Sequence, residues 1–141
     1  VGRLDKDSTG LLLITDDGDL HHYLTHPKNE VIREYDISIE RVLRPTEIQR
    51  MKKGISIGKG EIGKAVFVNQ KTIKGRVQLR LILKQGKKRE IRRIFRTLKI
   101  KLYDLKRISF AGVELKGLKE SQYRILNEKE INRLKLGFLK N

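Results

Sequence analysis

Asp5 is the residue of this chain whose surroundings most suggest chemistry. It follows Arg3 by two positions and precedes the apolar run Leu11-Leu12-Leu13-Ile14, which lies between Gly10 and the turn residues Asp16-Asp17-Gly18. That run is too short for a typical helix and predicts a strand inside a sheet. Asp5 then sits at the mouth of a core element. A carboxylate near low-dielectric surroundings must be hydrogen-bonded or paired with a cation, and such carboxylates concentrate at functional sites.

Two distant segments offer partners. In the stretch from Val31 to Ile39, Val31, Arg33, Tyr35, Ile37 and Ile39 share one parity, while Glu34, Asp36, Ser38 and Glu40 take the other. Alternation of this kind marks a half-buried strand and turns Tyr35 toward the core side. Between Lys88 and Leu98, Ile91, Ile94, Phe95 and Leu98 repeat with the spacing of a helix docked on a sheet, and Arg89, Arg92, Arg93 and Arg96 fill the remaining faces. At about 100° per residue, Arg92 lies about 110° from the centre of the apolar stripe and Arg93 about 150°. Arg92 is thus the candidate to reach a partly buried carboxylate. Arg93 is the candidate for solvent or phosphate, with Arg89 on the same basic surface.

The rest of the chain supplies elements that could carry these groups. Asp19 to Leu24 predicts a short helix stopped by Pro27. After Pro45, Thr46 and Gln49 suggest a capping box for a helix with Ile48 and Met51 on its apolar face, ended by Gly54. Strands are expected at Ile55 to Ile57, Ala65 to Val68 and Val77 to Leu83, and a hairpin-like region at Leu102 to Leu115. Asn127, with Glu130 three residues on, predicts a terminal helix with Ile131, Leu134 and Phe138 inside. These elements give an α+β fold, a largely antiparallel mixed sheet with helices packed on one side, in one domain over residues 1–141.

Composition restricts the partners. Thirty-three Lys and Arg against seventeen Asp and Glu leave a formal charge of +16 over 141 residues, so polyanions are expected. Nucleic acid is favoured over membrane, because no apolar stretch approaches the roughly twenty residues of a spanning helix. The absence of cysteine removes thiolate-metal and thiol-nucleophile chemistry and suits the cytoplasm. No metal site is expected. Asp5, Asp7, Thr9, Gly10 and Asp16 mimic part of a calcium loop, but Leu13 falls where a polar ligand belongs and no helix fits before Asp5. His22 and His26 have ligand-like helical spacing, but Pro27 ends the helix and no Glu follows the first His.

Taken together, these motifs resemble a known family. Gly2-Arg3-Leu4-Asp5, Thr9-Gly10-Leu11-Leu12-Leu13 and Thr15-Asp16-Asp17-Gly18 look like the catalytic motif of pseudouridine synthases that modify single uridines in ribosomal RNA, in the bacterial branch named for the small-subunit enzyme. Arg33-Glu34-Tyr35 is similar to the segment bearing that family's active-site tyrosine. Gln85 to Phe95 resembles its third motif, and Leu115-Lys116-Gly117-Leu118 with Tyr123-Arg124-Ile125-Leu126 fits the branch's C-terminal pattern.

The resemblance implies that Asp5 is the catalytic aspartate, that Arg92 pairs with it and keeps it ionised, and that Tyr35 stacks on a flipped base and aids proton transfer from carbon 5. It implies that Arg3 guides the flipped nucleotide; Arg89 and Arg93, on the basic faces of the same helix as Arg92, are the further candidate RNA contacts. It further implies ribosomal RNA of either subunit as partner, no metal or organic cofactor, and a monomer. The first residue is Val rather than Met, and related enzymes carry a Lys-Pro strand and a small RNA-binding domain before the aspartate motif. Neither is in this sequence, so a truncated fragment is expected. The competing reading is a noncatalytic ribosomal-RNA-binding or assembly module that kept the fold. It gives no reason for a partly buried carboxylate that repels phosphate.

Overall fold

The computed structural model describes residues 1–139. A mixed sheet runs in the order β1 (Thr9–Gly10), β7 (Leu102–Phe110), β2 (Arg33–Ile39), β6 (Arg76–Leu83) and β5 (Val66–Ile73), with β8 (Val113–Glu114) folded back on β7. Only the β1–β7 pairing is parallel; the others are antiparallel. A separate hairpin joins β3 (Ile55–Gly58) to β4 (Glu61–Gly63). The helices are α1 (Gly18–Thr25), α2 (Pro45–Lys53), α3 (Glu90–Leu98) and α4 (Glu128–Leu139), and a 3-10 turn spans Pro27–Asn29.

Strand register decides which side chains meet. Tyr35 stands opposite Leu81 on β6 and Arg107 on β7, while Arg33 stands opposite Leu83 and Phe110. Glu34 pairs with Ser109, so Ile108 is an extra residue in β7, a β-bulge that brings Arg107 and Phe110 onto one face. That face is covered by two apolar clusters. One packs Ile37, Leu79, Leu81 and Leu105 against Met51 of α2 and Ile91, Ile94 and Phe95 of α3. The other gathers Leu11, Leu13, Leu24 of α1, Phe110 and Leu134 of α4. Arg33 and Arg107 lie where the two clusters meet, each guanidinium within 5 Å of the Phe110 ring centre, at 4.9 and 4.7 Å.

The α+β class, the mainly antiparallel sheet and helices on one face agree with the sequence reading. Several local features differ. In the run Leu11–Ile14, Leu11 and Leu13 are buried and Leu12 and Ile14 exposed, but the strand itself is only Thr9–Gly10. Beyond Leu11, whose N–H donates to the Arg107 carbonyl at 2.8 Å, no ladder partner is in register. Hairpin β4 carries no alternation long enough to be read in sequence. In α4 the Asn127–Glu130 box forms as expected, each side chain accepting from the other's N–H at 2.9 Å, yet Ile131 is exposed while Leu134 is buried. Glu130 takes the inward place because Arg124 neutralises it in a two-pronged pair at 2.7 and 2.9 Å.

The cap of α2 is Arg44 with Glu47, not Thr46 with Gln49. Pro45, which has no N–H to cap, starts the helix, and Glu47 accepts from the Arg44 N–H at 2.9 Å. The same carboxylate takes two hydrogen bonds of 2.8 Å from Arg41, and the guanidinium holds it down at about 2. A depressed carboxylate contributes stability above its unfolded value near 4.5 and loses it as pH falls toward about 2. Glu47→Gln is therefore expected to cost about 1–2 kcal/mol at pH 7, and less at pH 3, in denaturant titrations of both proteins. An equal cost at the two pH values would contradict this.

Candidate active site

The loop carrying Asp5 is mounted on β7 at both of its ends. Gly10 pairs with Arg107 across the parallel ladder, and the Arg107 guanidinium donates to the Leu11 carbonyl at 2.9 Å and to the Gly2 carbonyl at 2.7 Å. Inside the loop, Ser8 N–H donates to the Asp5 carbonyl at 2.9 Å and closes a turn. Asp5 thus projects from a short, tethered segment rather than a free terminus.

The turn brings Asp5 toward α3. Arg92 Nε lies 3.9 Å from Asp5 Oδ2, and its Nη2 donates to Ser8 Oγ at 3.3 Å. Both charged side chains are largely shielded, Arg92 with 14% and Asp5 with 29% of its side chain exposed. The separation is an ion-pair distance and too long for a hydrogen bond. Arg92 Nε is buried without any hydrogen-bond partner among the described residues.

Asp5 and Tyr35 line one open cleft of about 730 Å³ with Arg3, Arg33, Arg89, Glu90 and Arg107. Lys6, Lys87 and Lys88 extend the basic wall. Arg3 is exposed on the rim. Arg89, held in the left-handed region at φ 52°, starts α3. Glu90 fixes that start, accepting from the N–H groups of Lys64 at 3.0 Å and Lys87 at 3.2 Å. Burial pushes the Glu90 carboxyl up, against those two hydrogen bonds and the charges of Lys87 and Arg33.

Arg93 is not on this cleft. Its guanidinium donates to the carbonyls of Ile57 at 3.0 Å, Lys88 at 3.1 Å and Gly58 at 3.1 Å, and to Glu61 at 2.9 Å. The expectation that Arg93 meets solvent or phosphate is corrected: β3 and β4 cover the far side of α3 and occupy its fork. Helical phase separated Arg92 from Arg93, but the hairpin that captures Arg93 was not foreseen.

Sequence reasoning missed Arg107 and Ser8. Arg107 is 2% exposed and faces the cleft floor directly across from Tyr35. Burial lowers its affinity for the proton, opposed by the adjacent Tyr35 hydroxyl. Its signal in the sequence was an arginine sharing parity with Leu105 inside an otherwise inward-facing strand row. The bulge hid its relation to Phe110.

The site is thus a basic cleft on the helix-covered face of a mixed sheet, lined by Tyr35 and by Asp5, whose carboxylate pairs with the Arg92 guanidinium. Residues 1–97 match the family model described as RNA pseudouridylate synthase, and the chain belongs to that family. The fold superposes on a crystal structure of a pseudouridylate synthase with a TM-score of 0.83 and 29% identity, covering 94% of this chain and 57% of that one. The chain is 38% identical over 137 residues to an uncharacterized RNA pseudouridine synthase of Borreliella burgdorferi, covering 96% of this chain and 53% of the relative. It is 31% identical over 137 residues to the ribosomal large subunit pseudouridine synthase B of Bacillus subtilis, covering 96% and 56% respectively. The chain therefore spans about half the length of the curated relatives it matches.

Proposed function

We propose that this domain isomerises uridine to pseudouridine in ribosomal RNA, acting in the cytoplasm as one catalytic unit. In that reaction the N1–C1′ glycosidic bond breaks, the uracil turns within the site, C5 bonds to C1′, and the proton that leaves C5 is balanced by one gained at N1. No atom is lost or added. The observation that carries the reading is Asp5 held 3.9 Å from Arg92 at the mouth of a cleft floored by Tyr35.

Each residue has a role in this reading. Asp5 acts on the flipped nucleotide as the catalytic carboxylate. Arg92, shielded and with a free Nε donor, pairs with it and orients it. Tyr35 stacks on the uracil and takes part in the C5 proton transfer. The nucleotide must leave its stack to reach them, at a cost of a few kcal/mol, and phosphate contacts from Arg3, Arg89 and the neighbouring lysines offset it. The relatives in Bacillus subtilis and Buchnera aphidicola are named for the large ribosomal subunit. Those names favour a large-subunit uridine over the small-subunit branch.

The test is a map of pseudouridine in ribosomal RNA from cells with and without the gene. One uridine should lose its modification when the gene is absent and regain it in extracted RNA treated with the purified protein. Identical maps, together with tight RNA binding, would instead support the noncatalytic module.

A further inference from the structure

We propose that Arg107 is a positioning residue that couples the Asp5 loop to Tyr35, so that both reach the same nucleotide together; this rests on the pseudouridine synthase reading above. Four observations converge on this one side chain. Its Nε and Nη2 hold the carbonyls of Leu11 and Gly2, the two ends of the segment containing Asp5, at 2.9 and 2.7 Å. It also stands directly opposite Tyr35 across the β2–β7 ladder, and both residues line the cleft. It is 2% exposed and stacks on Phe110 at 4.7 Å. No carboxylate lies within salt-bridge distance of it among the described residues.

The last point separates a role in the site from a role in stability. A buried cation without a counter-ion is a poor way to hold a fold together, and an apolar side chain of similar volume often does as well or better. What an apolar residue cannot do is bind two carbonyls in fixed directions from a position directly opposite Tyr35. The planar guanidinium can, because its donors point along different edges of one rigid plane. Lysine has a single nitrogen and cannot span both carbonyls. Arg107 also uses its backbone for the same purpose, since the Leu11 N–H donates to its carbonyl at 2.8 Å. The Asp5 loop and Tyr35 are thereby registered to a single strand position.

The experiment compares Arg107→Met, Arg107→Lys and the unsubstituted chain by amide hydrogen exchange and by single-turnover kinetics on the RNA substrate. In Arg107→Met the Ser8 and Leu11 amides should exchange about tenfold or more faster, while amides of the central strand β6 keep their protection. The chemical rate should fall by about tenfold to a hundredfold with RNA affinity unchanged, and Arg107→Lys should recover only part of it. In a Tyr35→Phe background the same substitution should cost much less, because one of the two groups it aligns is already gone. Unchanged Ser8 and Leu11 exchange, full recovery by lysine, or strictly additive effects with Tyr35→Phe would each overturn the proposal. Should Arg107→Met fail to fold, Arg107→Lys alone still decides, because it keeps the charge and stem while losing the fork. A wild-type chain that never isomerises uridine defeats the functional reading instead, and the exchange measurement then judges the coupling on its own.

Discussion

Asp5→Asn should lower uridine isomerisation by at least about a thousandfold, equivalent to about 4 kcal/mol of transition-state stabilisation, while leaving RNA affinity equal or slightly tighter. The substitution keeps the size and planarity of the side chain and removes its negative charge. A neutral amide can neither act as the catalytic carboxylate nor form an ion pair with Arg92, whose Nε lies 3.9 Å away. Affinity should hold because Asp5 is an acidic group in a cleft walled mainly by cations, among them Arg3, Lys6, Lys87, Lys88 and Arg89, and it repels phosphate rather than binding it. Single-turnover conversion and filter binding of the same transcript separate the two effects. Retained turnover would remove Asp5 from the centre of the mechanism, and a matching loss of binding would show that the charge mattered for assembly of the complex.

Gly10→Ala should be the most damaging small substitution in the chain. Gly10 adopts φ +110°, a region that side chains rarely enter, and a Cβ there would stand 2.2 Å from the Arg107 carbonyl oxygen and 2.6 Å from its amide nitrogen. Those are backbone atoms in the middle of the sheet, so relief requires separating β1 from β7 and breaking the Leu11 N–H bond to Arg107. We expect a loss of about 3 kcal/mol or more, from backbone strain together with the broken ladder. Turnover should fall further than the folded fraction alone explains, since the displaced strand carries the Asp5 loop. Gly18→Ala is the matched control: nothing lies within 4 Å of its Cβ, and stability should stay within about 0.5 kcal/mol. Equal midpoints in denaturant for the two variants would refute the close-approach argument.

What the sequence made legible follows from where burial is one-sided. Strand β2 has one face on the core and one polar face, so alternation alone oriented Tyr35 and Arg33. Helix α3 has a narrow apolar stripe, so its phase distinguished Arg92 from Arg93. The resemblance then connected these residues to Asp5, which no local pattern could have done. Illegible were the features that depend on pairing between distant segments. The parallel contact of Thr9–Gly10 with β7 is two residues long and joins opposite ends of the chain. The β4 strand is three residues long and exists because it closes on β3. Arg107 shared its parity with Leu105, but only the sheet register set it opposite Tyr35 in the cleft.

The bulge at Ile108 gives strand β7 a change of phase between its two halves. Upstream of it, Leu105 and Arg107 serve the cleft and the first apolar cluster, and downstream of it Phe110 reaches the second. A strand of strict two-residue period would turn either Arg107 or Phe110 to the opposite side of the sheet. Strand β7 is therefore indivisible as a unit of inheritance: substitutions within it can be absorbed one at a time, but a single-residue insertion or deletion between Leu105 and Phe110 transposes the guanidinium and the ring it stacks on, and with them the mounting of the Asp5 loop.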